Sequence, residues 1–384
     1  MTQAWRTVEL GEVLSRSRTE AVIDSKNDYK EVTVRLWGKG VNLRGIKAGA
    51  EFGDGKRYLV TPGQFIVSKI DARHGAFGVI PEELDNAVVT GDFPVFSVVP
   101  DQLNVKYLDW LSKTPAFVDA CKKASEGTTN RVRLKETRFS SIKIELPELS
   151  VQEQIINEVE SLHAKANEVR ALRNEVLIQA QAMLHSVFHE ILKKSPYRSM
   201  ADVCPIVRRP VTVEPDVDYA ELGVRSFGKG TFHKPALNGL DVGSKKLYYI
   251  DPNDLVLSNV FAWEGAIAVA KPEDKGRVGS HRFITCLAKE SIVTSHFLRF
   301  YLLSRDGLEK IQEASPGGAG RNRTLGLKKL EKIEVPVPDY DKQVWFNQLQ
   351  EQVHEVQQAQ AANEVELNAL MPSILDKAFK GKLI

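Results

Sequence analysis

Two glycine-rich, basic loops carry the residue types best suited to binding a polyanion. Residues 126–134 read Glu-Gly-Thr-Thr-Asn-Arg-Val-Arg-Leu, and residues 316–325 read Pro-Gly-Gly-Ala-Gly-Arg-Asn-Arg-Thr-Leu. Such loops expose backbone N–H groups beside guanidinium forks, which match phosphate oxygens and the acceptor edge of guanine. A solvated turn is the competing interpretation, but recurrence in both halves of the chain favours nucleic-acid contact. The candidates in these loops are Asn130, Arg131, Arg133, Arg321, Asn322 and Arg323.

Further candidates follow predicted strands. Those suited to base edges are Lys69, Arg73 and His74 in the first half, and Asn259, Trp263, His281 and Arg282 in the second. Four cations flank repeated glycines and suit phosphates, which position a protein without specifying sequence: Arg35, Lys39, Arg225 and Lys229. The alternatives are a solvated face for the arginines, a core or interface aromatic for Trp263, and an ordinary surface histidine for His281.

The candidates recur because the chain repeats itself. Val34–Gly40 aligns with Val224–Gly230, and Pro62–Ser68 aligns with Pro252–Ser258; 224 − 34 and 252 − 62 both give 190. A nearly constant offset predicts two copies of one unit, each a globular domain followed by a long helix. The predicted boundaries are 1–148 for the first domain, 149–195 for its helix, 196–338 for the second domain and 339–384 for the second helix.

The first long helix is predicted from an apolar seam without glycine or proline between Ser150 and Ser195. Ser150 is the expected N-cap, with Glu153 three residues on completing a capping box. A seam this narrow is typical of a coiled coil rather than of a globular core face. The main row repeats every seven residues through Ile155, Leu162, Val169, Val176 and Met183.

The second long helix carries a similar row through Phe346, Val353, Leu367 and Ile374. Polar residues interrupt both seams: Arg173 in the first helix, and Gln360 and Asn363 in the second. Pro372 is expected to kink or break the second helix near its end. We expect the two helices to pair with each other; two unrelated surface helices are the alternative.

The globular halves combine short β-branched segments with later helices, which indicates an α+β fold. In the first copy, strands are expected at Lys30–Leu36, Gln64–Ile70, Gly78–Ile80, Ala87–Val89 and Val95–Val99, followed by helices at Val105–Leu111 and Pro115–Ala124. In the second copy, strands are expected near Leu255–Ser258, Ala266–Ala270 and Phe283–Ala288, followed by a helix at Thr294–Ser304.

Composition narrows the possible functions. The 384 residues carry a formal net charge of only +2, so an anion-binding surface must come from local clustering. Three scattered cysteines and a polar N-terminus indicate a reduced, cytoplasmic protein without a membrane span. No phosphate-binding Gly-x-x-x-x-Gly-Lys-Ser/Thr loop and no Asn/Asp-Pro-Pro-aromatic tetrapeptide of amino-methyltransferases is present. We therefore expect a non-catalytic chain without a metal site or cofactor of its own.

At this point the sequence resembles the specificity subunits of Type I restriction–modification systems, the HsdS family. The likeness rests on Leu-Gly-Glu-Val at Leu10–Val13, the Pro-x-x-x-x-Gln motif at Pro147–Gln152, and the C-terminal segment Leu375–Leu383. It extends over the full length of the chain. The first helix departs from the family ending, since Val187–Glu190 lacks the glycine found after Lys380 in the second.

The resemblance implies a function. Each α+β half would be a target-recognition domain reading one half of a split site in double-stranded DNA. The two helices would form an antiparallel coiled coil that sets the spacer. Two methyltransferase (HsdM) subunits would supply S-adenosylmethionine and the active site for adenine-N6 methylation, and restriction (HsdR) subunits would use ATP and Mg²⁺. A coiled-coil scaffold that reads no DNA, and a fused modification enzyme, are the alternatives.

Overall fold

The computed structural model describes residues 5–127, 132–317 and 323–383, and the chain divides into two compact units. Unit 1 consists of Met1–Arg173 with Gln360–Ile384, and unit 2 of Asn174–Ala359. Each unit contains β-sheets, short helices and part of both long helices. The α+β fold class is confirmed.

Unit 1 begins with strands and ends with helices, as its sequence order predicts. Its strands are β1 (Arg6–Glu9), β2 (Leu14–Ser17), β3 (Asp28–Val34), β4 (Val41–Ala48), β5 (Arg57–Leu59), β6 (Phe65–Val67), β7 (Phe77–Val79), β8 (Val88–Thr90), β9 (Val95–Val98), β10 (Ser125–Glu126), β11 (Arg133–Leu134) and β12 (Lys143–Leu146). Its helices are α1 (Leu10–Val13), α2 (Val105–Ser112), α3 (Pro115–Lys123), α4 (Glu136–Ser140) and the first part of α5 (Leu149–Leu192).

Unit 2 repeats this order. Its strands are β13 (Tyr197–Ser199), β14 (Ile206–Val207), β15 (Asp218–Val224), β16 (Thr231–Asn238), β17 (Leu247–Tyr249), β18 (Leu255–Ser258), β19 (Ile267–Val269), β20 (Val278–Ser280), β21 (Phe283–Cys286) and β22 (Glu334–Pro336). Its helices are α6 (Met200–Val203), α7 (Gly239–Val242), α8 (Ser295–Leu303), α9 (Arg305–Glu313), α10 (Leu327–Glu331) and the first part of α11 (Tyr340–Ala378).

The two units share one sheet topology. Unit 1 has four-stranded sheets in the orders β2-β9-β6-β7 and β4-β3-β8-β5, and unit 2 has the same orders in β14-β21-β18-β19 and β16-β15-β20-β17. Even the register irregularity recurs, between Glu31 and Val32 in β3 and between Ala220 and Leu222 in β15. The internal repeat of the sequence therefore corresponds to a repeat of the fold. The sequence left many elements unpredicted, among them β4, β16 and the second helix of unit 2, α9.

A strand with an unbroken apolar run is buried on both faces in each unit: Phe65–Val67 in β6, and residues 255–257 of β18. Phe65 and Val67 in β6 pack into the core beneath the helices, whereas Ile66 between them packs into the core of the second sheet. The alternation of side chains along a strand separates the two cores. Leu255 and Leu257 against Val256 repeat the arrangement in β18.

The long helices pair antiparallel within each unit. In unit 1, Arg170 Nη2 donates to Leu367 O at 3.1 Å, and Arg173 Nη2 donates to Gln360 O at 2.7 Å, so numbering rises along one helix as it falls along the other. In unit 2, the end of α5 meets the beginning of α11, where the rings of Phe188 and Phe346 lie 5.4 Å apart. The predicted antiparallel coiled coil is confirmed.

The predicted seam is only partly right. Ile155 and Val159 near the start of α5 are buried, but Val169, Val176 and Met183 are 45%, 48% and 44% exposed. Toward the end of α5, burial moves one position along, to Leu184 and Phe188. Those two residues and their repeats, Leu375 and Phe379, pack against the cores of units 2 and 1. Packing into a globular core, rather than a strict heptad, decides the buried face there.

Three local predictions about the helices are wrong. Helix α5 begins at Leu149, so Ser150 lies inside its first turn and its Oγ donates to Glu148 Oε1 at 2.9 Å instead of capping. Helix α11 continues through Pro372 to Ala378, so the expected break at the proline is wrong, and the kink given as its alternative stays a prediction. Asn363 is exposed rather than buried in the seam.

A buried carboxamide fastens the start of each long helix. Gln152 is fully buried; its Nε2 donates to Gln102 O at 2.8 Å and to Pro147 O at 2.9 Å, and its Oε1 accepts from Asn104 N at 2.9 Å. In unit 2, the carboxamide of Gln343 makes the same three bonds to Ile292, Pro338 and Thr294. The Pro-x-x-x-x-Gln motif thus joins a long helix to the loop before α2 or α8.

Among the described residues, no helix combines the length and the apolar character needed to cross a membrane.

Removing the carboxamide should destabilise the start of α5. Gln152→Ala strips partners from three backbone groups around a fully buried side chain, and we expect a loss of about 2–4 kcal/mol of local stability. Hydrogen exchange of the amides in the first turns of α2 and α5 measures it. The matched control is Gln154→Ala, an exposed position in the same helix. Equal protection in both variants would contradict the structural role of Gln152.

Candidate nucleic-acid interface

A short hairpin loop in unit 1 presents two of the sequence-predicted cations. It joins β3 to β4 through residues 35–40, closed by the bond from Arg35 N to Gly40 O at 2.9 Å. Trp37 and Gly38 at its tip have φ values of 62° and 65°, the pair of left-handed conformations of a type I′ turn. Arg35 and Lys39 are exposed on either side of the tip.

The hairpin loop of unit 2 has the same backbone. It joins β15 to β16, closed by the bond from Arg225 N to Gly230 O at 3.0 Å, with φ values of 61° at Phe227 and 65° at Gly228. The guanidinium of Arg225 lies 5.0 Å from the ring centroid of Phe232, and Lys229 Nζ lies 5.9 Å from that of Phe227. Both cations are exposed.

Each hairpin tip is bonded to a 3₁₀ turn that follows β6 or β18. Trp37 N donates to His74 O at 2.8 Å and Gly38 N donates to Gly75 O at 2.9 Å. The 3₁₀ turn, Ala72–His74, therefore brings Arg73 and His74 beside the hairpin cations. Gly75 has a φ of 73°, a left-handed conformation that residues with a side chain rarely adopt, so glycine suits this junction.

Unit 2 reproduces this junction with different side chains. Phe227 N donates to Glu264 O at 2.9 Å and Gly228 N donates to Gly265 O at 2.8 Å, so the 3₁₀ turn Ala262–Glu264 carries Trp263 to the hairpin. Trp263 Nε1 donates to Val260 O at 2.9 Å, and the guanidinium of Arg323 stacks 5.2 Å from a Trp263 ring centroid. Trp263 is half-buried, and both of these contacts are made with residues of its own unit.

A residue just after the central strand ties two further loops to the same surface. In unit 1, Lys69 N donates to Asp92 O and Leu134 N donates to Lys69 O, both at 2.8 Å. In unit 2, Asn259 N donates to Arg282 O at 2.8 Å and Leu325 N donates to Asn259 O at 2.7 Å. Each glycine-rich loop therefore rejoins the fold beside this residue.

Two predicted cations of unit 1 form ion pairs with carboxylates of the same unit. Lys69 Nζ lies 2.6 Å from Glu136 Oε1, and Arg133 Nη1 lies 2.7 Å from Asp92 Oδ1. Arg16 Nε also bonds Glu136 Oε2, at 3.0 Å. Burial alone would raise the pKa of Glu136, but the bonds from Lys69 and Arg16 outweigh it and the pKa is lowered. Glu136 thus stays charged and holds both cations.

The remaining candidates of unit 2 line a cleft of about 520 Å³. His281 and Arg282 are exposed at its wall. The other charged and aromatic lining residues are Lys234, Lys245, Glu221, Phe232, Phe261 and Phe283. Asn259 is not one of the lining residues, and its buried Oδ1 has no hydrogen-bond partner within the described residues. The cleft combines cations, ring faces and polar atoms, as a site for a nucleotide would.

The hairpin cations are among the predicted cations without a carboxylate partner in the described residues, as are Arg73, Arg282 and Arg323. In the part of the chain that the structure describes, Arg35, Lys39, Arg225 and Lys229 form no ion pair. Asn130, Arg131, Arg321 and Asn322 lie outside the described residues. No group of three or more potential metal ligands occurs among residues 5–127, 132–317 and 323–383.

Sequence reasoning did not single out four side chains of this surface. Lys234 lies in β16, and Lys245 lies in the loop before β17. Neither strand was predicted from the sequence. Trp37 and Phe227 stand at hairpin tips and are 69% and 74% exposed. One feature of the sequence could have indicated these tips. In both copies an aromatic residue directly precedes a glycine, at the position that Asn or Asp normally occupies in a type I′ turn.

Two copies of one α+β unit, each with a basic and aromatic loop surface and a share of a coiled coil, define a duplicated recognition protein. Residues 2–177 match the family model of the Type I restriction modification DNA specificity domain. The likeness to this domain family therefore covers the first globular unit and part of α5, and unit 2 repeats the sheet topology of unit 1. No curated protein gives a significant match to the sequence.

Solved structures agree in fold. The chain is similar to the HsdS subunit from Thermoanaerobacter tengcongensis, with 19% identity, a TM-score of 0.67, and coverage of 100% of this chain and 98% of that one. It is also similar to a chain of the type I R-M system, solved in work on its complex assembly and conformational transition. That match has 20% identity, a TM-score of 0.69, and coverage of 99% and 98%.

The cluster around Glu136 should give unit 1 a pH-dependent share of its stability. Because the folded pKa is lowered, the contribution is present above the unfolded pKa of about 4.5 and is lost as pH falls through the folded value. We expect Glu136→Gln to weaken hydrogen-exchange protection of β11 and α4 near pH 7, with the difference from the wild type shrinking toward pH 3. Glu153→Gln, an exposed control, should show no such trend; a pH-independent difference would exclude the assignment.

Proposed function

We propose that this chain is a specificity subunit that reads a bipartite site in double-stranded DNA, with each globular unit binding one half-site. The supporting observation is the hairpin surface that occurs once in each unit, with two exposed cations free of ion pairs and a 3₁₀ turn bonded beside them. Cations without internal partners are suited to phosphates, whose contacts fix the position of a protein on the duplex.

Within this proposal, the candidates divide by their surroundings. Arg35, Lys39, Arg225 and Lys229 contact phosphates, because they are exposed and form no ion pair among the described residues. His281, Arg282 and Arg323 reach base edges, because they project from loops beside Asn259. Lys69 and Arg133 contribute mainly by holding the loops, since each is already bonded to a carboxylate.

The coiled coil is proposed to set the spacer and to dock two methyltransferase subunits. Helix α5 has 44 residues and thus a length of about 66 Å. Large apolar side chains remain exposed on it, including Leu172 at 55%, and Val365 on α11 is 74% exposed. The partners would bring S-adenosylmethionine and the catalytic groups, and restriction subunits would bring ATP and Mg²⁺. This chain would contribute recognition without catalysis.

Methylation mapping tests the proposal as a whole. Methylated adenines are located in a host genome with the gene present and after its deletion. The expected difference is one motif with two specified halves separated by a fixed run of unspecified bases. An unchanged map would count against DNA recognition. A motif with a single uninterrupted half would count against one half-site per unit.

Two assays on purified proteins separate the alternatives. For the complex with methyltransferase subunits, affinity for the mapped duplex should fall steeply with rising salt, because bound phosphates release counterions. A salt-independent affinity would favour the coiled-coil scaffold. Methyl transfer should require the partner subunit; transfer by the isolated chain would favour a fused modification enzyme.

Arg323 tests the assignment of base readers. If its guanidinium bonds a guanine, Arg323→Ala should weaken binding of one half-site by about 1–3 kcal/mol and relax specificity at one position. Competition binding with single-base variants of the mapped duplex measures both effects. Arg305→Ala, which removes an exposed arginine of α9 in the same unit, is the control. An equal loss on unrelated DNA would reassign Arg323 to a phosphate.

Leu172 tests the docking surface. We expect Leu172→Glu to place a charge in the apolar contact and to reduce assembly with the methyltransferase by roughly tenfold or more, as one desolvated charge would. Ala171→Glu adds the same charge at the adjacent exposed position and should assemble normally. Sedimentation of mixed subunits reports assembly. If both variants assemble alike, the partner docks elsewhere.

A further inference from the structure

The two hairpin tips expose large aromatic side chains in an unfavourable backbone conformation. Trp37 has a φ of 62° and is 69% exposed; Phe227 has a φ of 61° and is 74% exposed. A bulky residue in the left-handed region is an outlier that costs free energy. Glycine, asparagine or aspartate would form either turn with less strain.

The strain is not offset by burial. The ring of Trp37 approaches one other aromatic ring, that of His74, at 5.8 Å and a 57° tilt. Phe227 meets only the ammonium of Lys229, at 5.9 Å, among the aromatic and cation–ring contacts of the described residues. The tip residue is Trp37 in unit 1 and Phe227 in unit 2, so both copies carry an aromatic ring at a position where folding does not require one. The ring is therefore best explained by a contact outside the chain.

Both tips are held rigidly. Besides the bonds to the 3₁₀ turns, Arg299 Nη2 of α8 donates to Gly228 O at 2.6 Å. In unit 1, Gly38 packs directly against Lys113, whose Cγ would lie 2.9 Å from an added Cβ. A ring on an anchored turn loses little conformational entropy on binding, which favours tight contact.

We propose that Trp37 and Phe227 are wedges that each enter the DNA duplex of one half-site and unstack a base step. The inference rests on the proposed function and specifies how the bound duplex is deformed. Apolar side chains inserted between base pairs kink DNA in this way. The cations beside each tip, Arg35 and Lys39 or Arg225 and Lys229, hold the phosphates on either side of the opened step.

The wedge has a consequence for methylation by a partner enzyme. A base that undergoes chemistry must leave the helical stack, and the cost is smaller where stacking is already disturbed. A rigid aromatic tip in each half-site would lower that cost. The two exposed cations beside each tip favour DNA over a protein subunit as the occupant. An aromatic side chain can pack against a protein without positive charges around it, whereas phosphates attract them.

The experiment uses the complex of the full chain with its methyltransferase subunits and the duplex defined by methylation mapping. Trp37→Asn and Phe227→Asn suit a type I′ turn and remove the ring; Trp37→Phe keeps a ring. Affinity, thermal unfolding, and the fluorescence of 2-aminopurine placed at successive steps of each half-site are compared. Fluorescence of this base analogue rises when it is unstacked.

We expect each Asn variant to unfold at the same or a higher temperature, because strain is relieved, while losing affinity about tenfold, as for one lost base–aromatic stack. The 2-aminopurine signal should disappear in the half-site read by the altered unit only. Trp37→Phe should keep both affinity and signal.

Three results would overturn the wedge. A lower unfolding temperature in the Asn variants would make the tips structural. Unchanged affinity and fluorescence would remove them from the DNA contact. Loss of assembly with the methyltransferase would assign them to a protein interface. Failure of the wild-type complex to select the mapped duplex would instead refute the proposed function, and the wedge with it.

Discussion

Each long helix depends on one buried carboxamide that joins it to a globular unit. Gln152 and Gln343 are fully buried, and each satisfies three backbone groups of the adjoining loop and the helix start. Buried backbone groups without partners are costly, so the helix cannot turn away without losing all three bonds at once. The direction in which each helix leaves its unit is therefore fixed by a polar interaction, while apolar packing supplies most of the stability.

The sequence predicts features that depend on local burial patterns and misses those that depend on contacts between distant segments. Central strands and the duplicated order are predictable because burial on both faces demands runs such as Phe65–Val67, repeated at one offset. The heptad seam fails at Met183, because the end of α5 packs into a globular core that buries Leu184 instead. Ser150 is not the cap, since the helix start is fixed by Gln152, which lies beyond the reach of local capping rules.

The candidate site is less predictable than the fold. Its residue types are visible in the sequence, but which cations remain free depends on contacts between distant segments. Lys69 and Glu136 are 67 residues apart, 136 − 69, yet their charged atoms lie 2.6 Å apart. The sequence does not mark Trp37 as a surface residue, because hydrophobic side chains are expected in the core. Its positive φ and its exposed ring are visible only in the structure.

The two copies show how one scaffold can serve different surfaces. Backbone bonds at the hairpin, the 3₁₀ turn and the loop junction are the same in both units, although Lys69 corresponds to Asn259 and His74 to Glu264. Backbone bonding is indifferent to side-chain identity, and exposed substitutions cost little stability. A duplicated unit can therefore change its contact residues independently in each copy while sheets, helices and the buried glutamines are retained. If these loops bind DNA as proposed, recognition and folding are separable, because the side chains would serve one and the backbone serves the other.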